Sequence, residues 1–323
     1  MVRVVSGMRP TGSLHLGHYF GVIKNWLELQ KENECFFFAA DWHALSTKYE
    51  DKLSLKDLSL DLVKTWLACG INPEKSTIFI QSDIKEHSEL YLVLNMITPV
   101  NWLERNPSYK DLMTQKEFKD KNMAGFLTYP VLQAADIIMY DANIVPIGED
   151  QKPHLELARE IVRRFHYLFD CNIFTEPKDL LTETSKLLGL DGRKMSKSYN
   201  NSIYLDESSE NIWAKVRSAK TDTNRIKKTD PGNPEVCVVW DYHKIFSDKE
   251  TQDKIYSECK AGSIGCMQCK KECAKNIDEF ITPIREKKES LSDEFVKEVI
   301  KQGENKAKKI AKEKMEKVNE VIF

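Results

Sequence analysis

Short apolar runs alternate with longer amphipathic segments through the first half of the chain. "RVVSG" (3–7), "CFFFAAD" (35–41) and "STIFIQ" (76–81) are rich in β-branched or aromatic residues and read as strands. Between them, "GHYFGVIKNWLELQK" (17–31) and "LSLKDLSLDLVKTWLACG" (53–70) repeat their apolar positions at helical spacing, the second stopped by Gly70. This alternation predicts an α/β fold, a Rossmann-like parallel sheet with helices on both faces. After about residue 205 the strand signals thin out and the chain turns charged and helical, most clearly in "SLSDEFVKEVIKQGENKAKKIAKEKMEKVNEVIF" (290–323). A mainly helical C-terminal domain over 206–323 is therefore expected to follow an α/β domain over 1–205. The final helix is a candidate to pack back on the first domain.

A length of 323 residues agrees with about two domains, and 41% hydrophobic residues suffice for a sizeable core. Lys plus Arg number 48 against 50 Asp plus Glu, so global charge announces no polyanionic partner. Two local stretches do: Arg193 to Lys228 holds nine bases and four acids, and Lys301 to Lys317 seven lysines and three acids. No stretch approaches the ~20 apolar residues of a membrane span, and the N-terminus lacks a signal-peptide core, so a cytoplasmic location is expected. There, the eight cysteines predict metal binding or buried thiols rather than disulfides.

In "SGMRPTGSLHLGHYFG" (6–21) a glycine-containing turn separates a strand from a helix, the arrangement that aims backbone N–H groups at an anion. His15 and His18, three residues apart, share the first helical turn and can donate to phosphate oxygens. "GFLTYPVLQAADIIMY" (125–140) has helical period, with Tyr129, Gln133 and Asp136 on one face and apolar neighbours nearly all round. A polar stripe in that setting is costly to bury unless something pairs with it, which points to a ligand. "DGRKMSKSYNNS" (191–202) is cationic and hydroxyl-rich, with no apolar stripe. Cys35, Cys69 and Cys171 read as buried thiols, whereas Cys259, Cys266, Cys269 and Cys273 form C-x6-C-x2-C-x3-C in a lysine-rich context, after Cys237. Such thiolates can share one metal or cluster, and no histidine inside the run supports a mixed zinc site.

"HLGH" (15–18) followed about 180 residues later by "KMSKS" (194–198) resembles the paired signature of class I aminoacyl-tRNA synthetases. The helix at 125–140 with "ANIVPIGEDQKPHLELARE" (142–160) is similar to the tryptophanyl and tyrosyl members. "SGMRPTG", "ADWHAL" (40–45), "GEDQKPH" (148–154) and "KTDTNR" (220–225) look tryptophanyl. The resemblance implies that L-tryptophan is activated with ATP and Mg²⁺ and transferred to the 3′ end of its tRNA. His15, His18, Lys194 and Lys197 would stabilise charge on the phosphates. Arg9, Thr11, Gly17, Gly148, Asp150, Met195, Ser196 and Ser198 would lie along the nucleotide. Tyr129 and Gln151 would hold the α-amino group and Asp136 the indole N–H, with Val5, Gly7, His43, Gln133 and Val145 also around the amino acid.

A tyrosine site needs a polar partner for the hydroxyl; Val4 and Val5 stand where tyrosyl relatives place it, while Asp136 can accept a single N–H. Gln133 and Arg9 depart from the bacterial tryptophanyl pattern, which has methionine and glutamine in many members. Some bacterial relatives carry a [4Fe–4S] cluster on similar cysteines, which implies Cys237, Cys259, Cys266 and Cys269 as ligands here. The first gap is 21 residues, zinc is the alternative, and Cys273 is a spare. The resemblance also implies a homodimer, no membrane partner, and a helical domain reading the anticodon, with the two basic stretches against the tRNA backbone. The alternatives are a tyrosyl enzyme and a repurposed, non-catalytic relative.

Overall fold

The computed structural model describes residues 2–49, 54–114, 123–181 and 187–323; Leu53, where the second helix is expected to begin, lies outside them. The described chain divides into two compact units. One comprises residues 1–12, 25–183 and 292–323, the other residues 13–24 and 184–291.

The first unit is built on five parallel strands: β1 (Arg3–Met8), β2 (Glu34–Ala39), β3 (Ser76–Ile80), β4 (Ile144–Ile147) and β5 (Lys178–Leu181). Their spatial order is β3-β2-β1-β4-β5, with Val4 opposite Cys35 and Ile144, and Cys35 opposite Ser76. The order reverses between β1 and β4, and in sheets of this kind ligands bind beyond the strands' carboxyl ends at that point. Those ends carry Gly7 and Met8 on one side and Ile147 and Gly148 on the other. Central strands covered on both faces cannot alternate apolar with polar, which is why β2 reads ECFFFA and is buried along almost its whole length.

The predicted strand at 35–41 ends at Ala39, because Asp41 opens a helix, Asp41–Lys48, and accepts the Trp42 N–H at 3.0 Å. The predicted helix at 17–31 is broken by a π-turn, Tyr19–Ile23, between Leu16–His18 and Lys24–Leu29. Strands β4 and β5 carry no strong sequence signal: β4 is four residues with a proline, and β5 is exposed throughout. Trp26 stacks on Phe37 at 4.3 Å and meets Trp66 edge-on at 5.1 Å, fixing helices Lys24–Leu29 and Leu55–Ala68 to one face of β2. On the other face Phe36, Phe38, Val5 and Val145 pack with Ala134, Ala135 and Ile138 of the helix Ala124–Ile138, which tolerates Pro130 in its interior.

The last helix, Asp293–Ile322, belongs to this unit and crosses β3 so closely that a Cβ on Gly303 would fall 1.8 Å from the Ile78 carbonyl oxygen. Lys64 reaches Asp293 at 2.7 Å, Lys306 reaches Glu34 at 3.2 Å, and buried Lys314 donates to Asp141 at 2.8 Å and the Ile173 carbonyl at 2.6 Å.

The second unit is helical, with Ser209–Ser218, Val238–Phe246, Lys249–Ala261 and Cys266–Ser290 as its main elements. Phe280 stacks on Phe20 at 5.6 Å and meets Phe246 at 5.3 Å, so aromatic contacts tie residues 13–24 into this unit.

Gly303→Ala is expected to push the last helix off β3 and to remove about 1–3 kcal/mol of stability, the range for overpacking a close contact. A lowered urea midpoint at unchanged slope would confirm it, and an unchanged midpoint would overturn it.

Candidate functional site

In the first unit the polar face of helix Ala124–Ile138 converges on Asp136, which is 1% exposed. Its Oδ1 accepts from His87 Nδ1 at 2.5 Å and Gln81 Nε2 at 2.9 Å; its Oδ2 accepts from Gln81 Nε2 and His43 Nε2, each at 2.8 Å. His87 Nε2 in turn lies 2.6 Å from the Tyr140 hydroxyl. With the carboxylate accepting at Nδ1, the proton order runs Tyr140 O–H to Nε2, then Nδ1–H to Asp136. Burial opposes ionisation of Asp136, but the hydrogen bonds from His43 and His87 outweigh it and hold the carboxyl below its usual range.

Tyr129, two helical turns earlier, is half-buried and its hydroxyl lies 2.9 Å from His154 Nε2. Asn106 donates to His154 Nδ1 at 2.8 Å, so Nε2 carries the proton and donates to the tyrosine. Burial pushes His154 down to about 4, which keeps it neutral. Trp42, His43, Tyr91, Thr128, Tyr129 and Leu132 are among the walls of a cavity of about 370 Å³.

The other predicted residues of this unit surround the strand ends. Val5 and Val145 are buried in the core beneath the helix. Gly7 sits on β1, where a Cβ would come 2.5 Å from the Phe38 ring. Arg9 is exposed, Thr11 and Gln133 are half-buried, and beyond β4 Gly148 precedes exposed Asp150, which accepts from Gln151 Nε2 at 3.0 Å. Gln81, His87, Tyr140, Asn106 and His154 were given no role from the sequence. Their signal is visible only in the fold: polar side chains fully or nearly enclosed among apolar ones.

In the second unit His15 and His18 lie with their ring centroids 3.8 Å apart, and the His15 N–H donates to His18 Nδ1 at 3.2 Å. A Cβ on Gly17 would fall 2.9 Å from the His15 ring and 3.5 Å from the Met195 Cβ, so the glycine lets both motifs approach. Burial, and after it the nearby Lys197 charge, lower His15 to about 4; burial, His15 and Lys197 lower His18 to about 3. At neutral pH both rings are therefore uncharged donors beside a cation.

The loop carrying Lys194, Met195, Ser196, Lys197 and Ser198 is organised by buried Asn201. Its Oδ1 accepts the Ser196 N–H at 2.8 Å, while its Nδ2 donates to Asp191 at 2.8 Å and the Lys194 carbonyl at 3.2 Å. Gly189 makes room, since a Cβ there would lie 2.2 Å from the Asn201 amide. Ser196 and Ser198 hydroxyls are 2.9 Å apart, Met195 is buried and Lys194 is exposed.

The cysteines gather in the same unit. Cys269 is pushed up to about 12 by burial and then by Cys237, Cys259 and Cys266, and those thiols act on one another in the same sense. Arg225 Nη1 lies 3.7 Å from Cys266 Sγ and 4.0 Å from Cys259 Sγ, and a Cβ on Gly232 would lie 2.7 Å from Cys259 Sγ. Among the described residues no group of three or more His, Cys, Asp or Glu is arranged to hold a metal ion. Cys273 is buried in the helix packing near the Val239 carbonyl.

Comparison with known proteins follows this geometry. Residues 1–282 match the family model described as tRNA synthetases class I (W and Y). The chain is 49% identical to the tryptophan–tRNA ligase of Thermotoga maritima, with 99% of each chain covered. It is 43% identical to that of Aquifex aeolicus, again over 99% of each. Among solved structures, the tryptophanyl-tRNA synthetase of Campylobacter jejuni complexed with ADP and tryptophan superposes with a TM-score of 0.91 at 36% identity, covering 99% of both chains.

The two histidines of the second unit generate a direct expectation. In a histidine NMR titration their midpoints should fall near 4 for His15 and near 3 for His18, and Lys197→Ala should raise both. A midpoint near 6.5 for either would overturn this. Because the unfolded chain binds these protons near pH 6.5 and the folded chain does not until about 4 at His15 and about 3 at His18, their contribution to stability is complete above pH 6.5 and is lost as pH falls toward 4 and then 3.

Proposed function

The chain belongs to the class I tRNA synthetases of the tryptophan and tyrosine group, and we infer that it activates tryptophan with ATP and joins it to its tRNA. The observation that carries the phosphate chemistry is the placement of His15 and His18 as neutral donors beside Lys197. The tryptophan carboxylate attacks the α-phosphate and pyrophosphate leaves, so anions must be brought together. Fixed donors and a cation lower that barrier by complementing the developing charge, without carrying protons themselves. Lys194 and Lys197 face the leaving pyrophosphate, with Ser196 and Ser198 hydrogen-bonding to it and Gly17 and Met195 beside the nucleotide. Mg²⁺ accompanies the nucleotide and neutralises part of its charge.

Residues of the first unit carry the reading of the amino acid and the rest of the nucleotide. Asp136 accepts the indole N–H, Tyr129 and Gln151 hold the α-amino group, and Val5, Gly7, His43, Gln133 and Val145 shape the surroundings. Arg9, Thr11, Gly148 and Asp150 serve the nucleotide. Of the two β1 valines, Val5 shares the face of Asp136 and favours indole over phenol, while Val4 points to the other face of the sheet. Functionally, residues 1–205 form the catalytic domain and the helices after about 205 read the anticodon. Lys309, Lys312 and Lys317, exposed on the last helix, carry the proposed tRNA contact there, since Lys301, Lys306, Lys308 and Lys314 pair with acids of the chain itself. Leu92 and Met96, exposed one helical turn apart on the helix Glu86–Ile97, support a homodimer. No helix among the described residues is long and apolar enough to cross a membrane, and we keep a cytoplasmic location as part of the proposal.

We place a [4Fe–4S] cluster on Cys237, Cys259, Cys266 and Cys269. What supports it is donor chemistry rather than a formed ligand cage: four half-buried thiols belong to one unit, Arg225 lies beside two of them, and Gly232 leaves space against Cys259 that a side chain would fill.

ATP–pyrophosphate exchange is expected with tryptophan and not with tyrosine. Lys197→Ala should slow it by roughly 10²–10³-fold while tryptophan affinity is retained. Exchange with tyrosine alone would replace the indole reading, and silence with both amino acids would favour a repurposed relative.

Anaerobically purified protein should contain iron and acid-labile sulfide with brown absorbance, all lost in Cys266→Ser. Zinc without iron, or neither metal, would remove the cluster from the proposal.

A further inference from the structure

A carboxylate has about four lone-pair sites, and all four of Asp136 are taken by side chains of the protein itself. His87 and Gln81 occupy Oδ1, and Gln81 and His43 occupy Oδ2. If Asp136 is the indole acceptor, the substrate's N–H can reach it only where one of these donors gives way. The three are not equivalent. Gln81 and His87 are fully buried, and His87 is held from its far side by Tyr140. His43 lines the cavity, and its side chain keeps 12% exposure.

We propose that His43 is a place-holder: in the absence of substrate its Nε2–H occupies the site on Asp136 that the indole N–H takes over when tryptophan binds. The need for one follows from burial. An ionised carboxylate enclosed in the core is costly with any acceptor site unfilled, so a donor has to be present before substrate arrives. A fully enclosed donor cannot leave; one on the cavity wall can swing into the cavity's open volume. Binding is then an exchange of one N–H for another, and selectivity arises from ligands unable to make it. A sulfur analogue of tryptophan, with benzothiophene in place of indole, has the right shape and no N–H. It either leaves His43 where it stands or orphans the acceptor.

The inference rests on the reading of Asp136 as the indole acceptor, and the test separates the two. In full-length protein with ¹⁵N-labelled histidine, saturating tryptophan should shift the His43 Nε2–H resonance away from its hydrogen-bonded position while that of His87 Nδ1–H stays. The benzothiophene analogue should bind about tenfold or more weakly and leave His43 in place. In His43→Ala the fallback donor is gone, so discrimination between the two ligands should widen several-fold. An unmoved His43 resonance at saturating tryptophan would overturn the place-holder, as would His43→Ala weakening both ligands in parallel at an unchanged ratio. Equal affinity for both ligands in the wild-type chain would instead remove Asp136 as the indole acceptor, and the place-holder with it.

Discussion

A negative charge enclosed in the core of a sheet unit has to be matched on every side, and Asp136 imposes that condition on the elements around it. Desolvating a carboxylate costs several kcal/mol after relaxation, so each neighbouring element has to deliver a donor. Gln81 comes from the turn after β3, His87 from the helix Glu86–Ile97, and His43 from the helix after β2. Tyr140, just past the end of Asp136's own helix, fixes the tautomer of His87. Four chain segments, from three separate stretches of the sequence, are thereby tied to one side chain. A slip of any of them would leave a buried charge unpaired, so the same bonds that prepare the carboxylate to accept also hold the helix Ala124–Ile138 in register on the sheet.

The second unit solves the opposite problem, gathering hydrogen-bond donors around a cation. Its two histidines are kept neutral by burial and by Lys197, so the cation does not face two more charges at 3.8 Å ring separation. The loop's shape comes from Asn201, whose amide satisfies backbone groups that have no regular secondary structure to pair them. A hydroxyl-rich, lysine-bearing segment can thus stay polar along its length and still present a defined surface.

How much of this was legible in the sequence differs by element. The parallel α/β architecture followed from runs such as ECFFFA, because a strand buried on both faces must be apolar throughout. Strands β4 and β5 were missed, since four-residue strands, one with a proline and one exposed, lack any period to detect. The π-turn at Tyr19–Ile23 was also invisible, as it shifts register without changing residue type. At the site, Tyr129 and Asp136 announced themselves as polar residues on an apolar helix. Gln81 and His87 did not, because each is a single polar residue beside a strand end or in a short charged segment, where solvent exposure is the ordinary outcome. Only packing shows that both are enclosed. The cysteine spacing was legible as a group, whereas Cys273 could be told from its neighbours only once its helix turned it into the core.

Asp136 alone does not choose indole over phenol, because both offer one hydrogen to an acceptor. The difference lies in what remains. A phenol oxygen carries lone pairs that need a donor when buried, and leaving such a group unmet costs about 1–3 kcal/mol. An indole nitrogen has no such need once its hydrogen is placed. The donors nearest Asp136 point at its carboxylate, and on this face β1 contributes Val5, buried and without a polar atom to offer. Under the proposed site, Gln81 and His87 stay committed to Asp136, so a phenol oxygen would have only the displaced His43 to meet it, whereas an indole asks for no donor at all. Selectivity then comes from an acceptor whose donors are already committed, set beside a strand that supplies none.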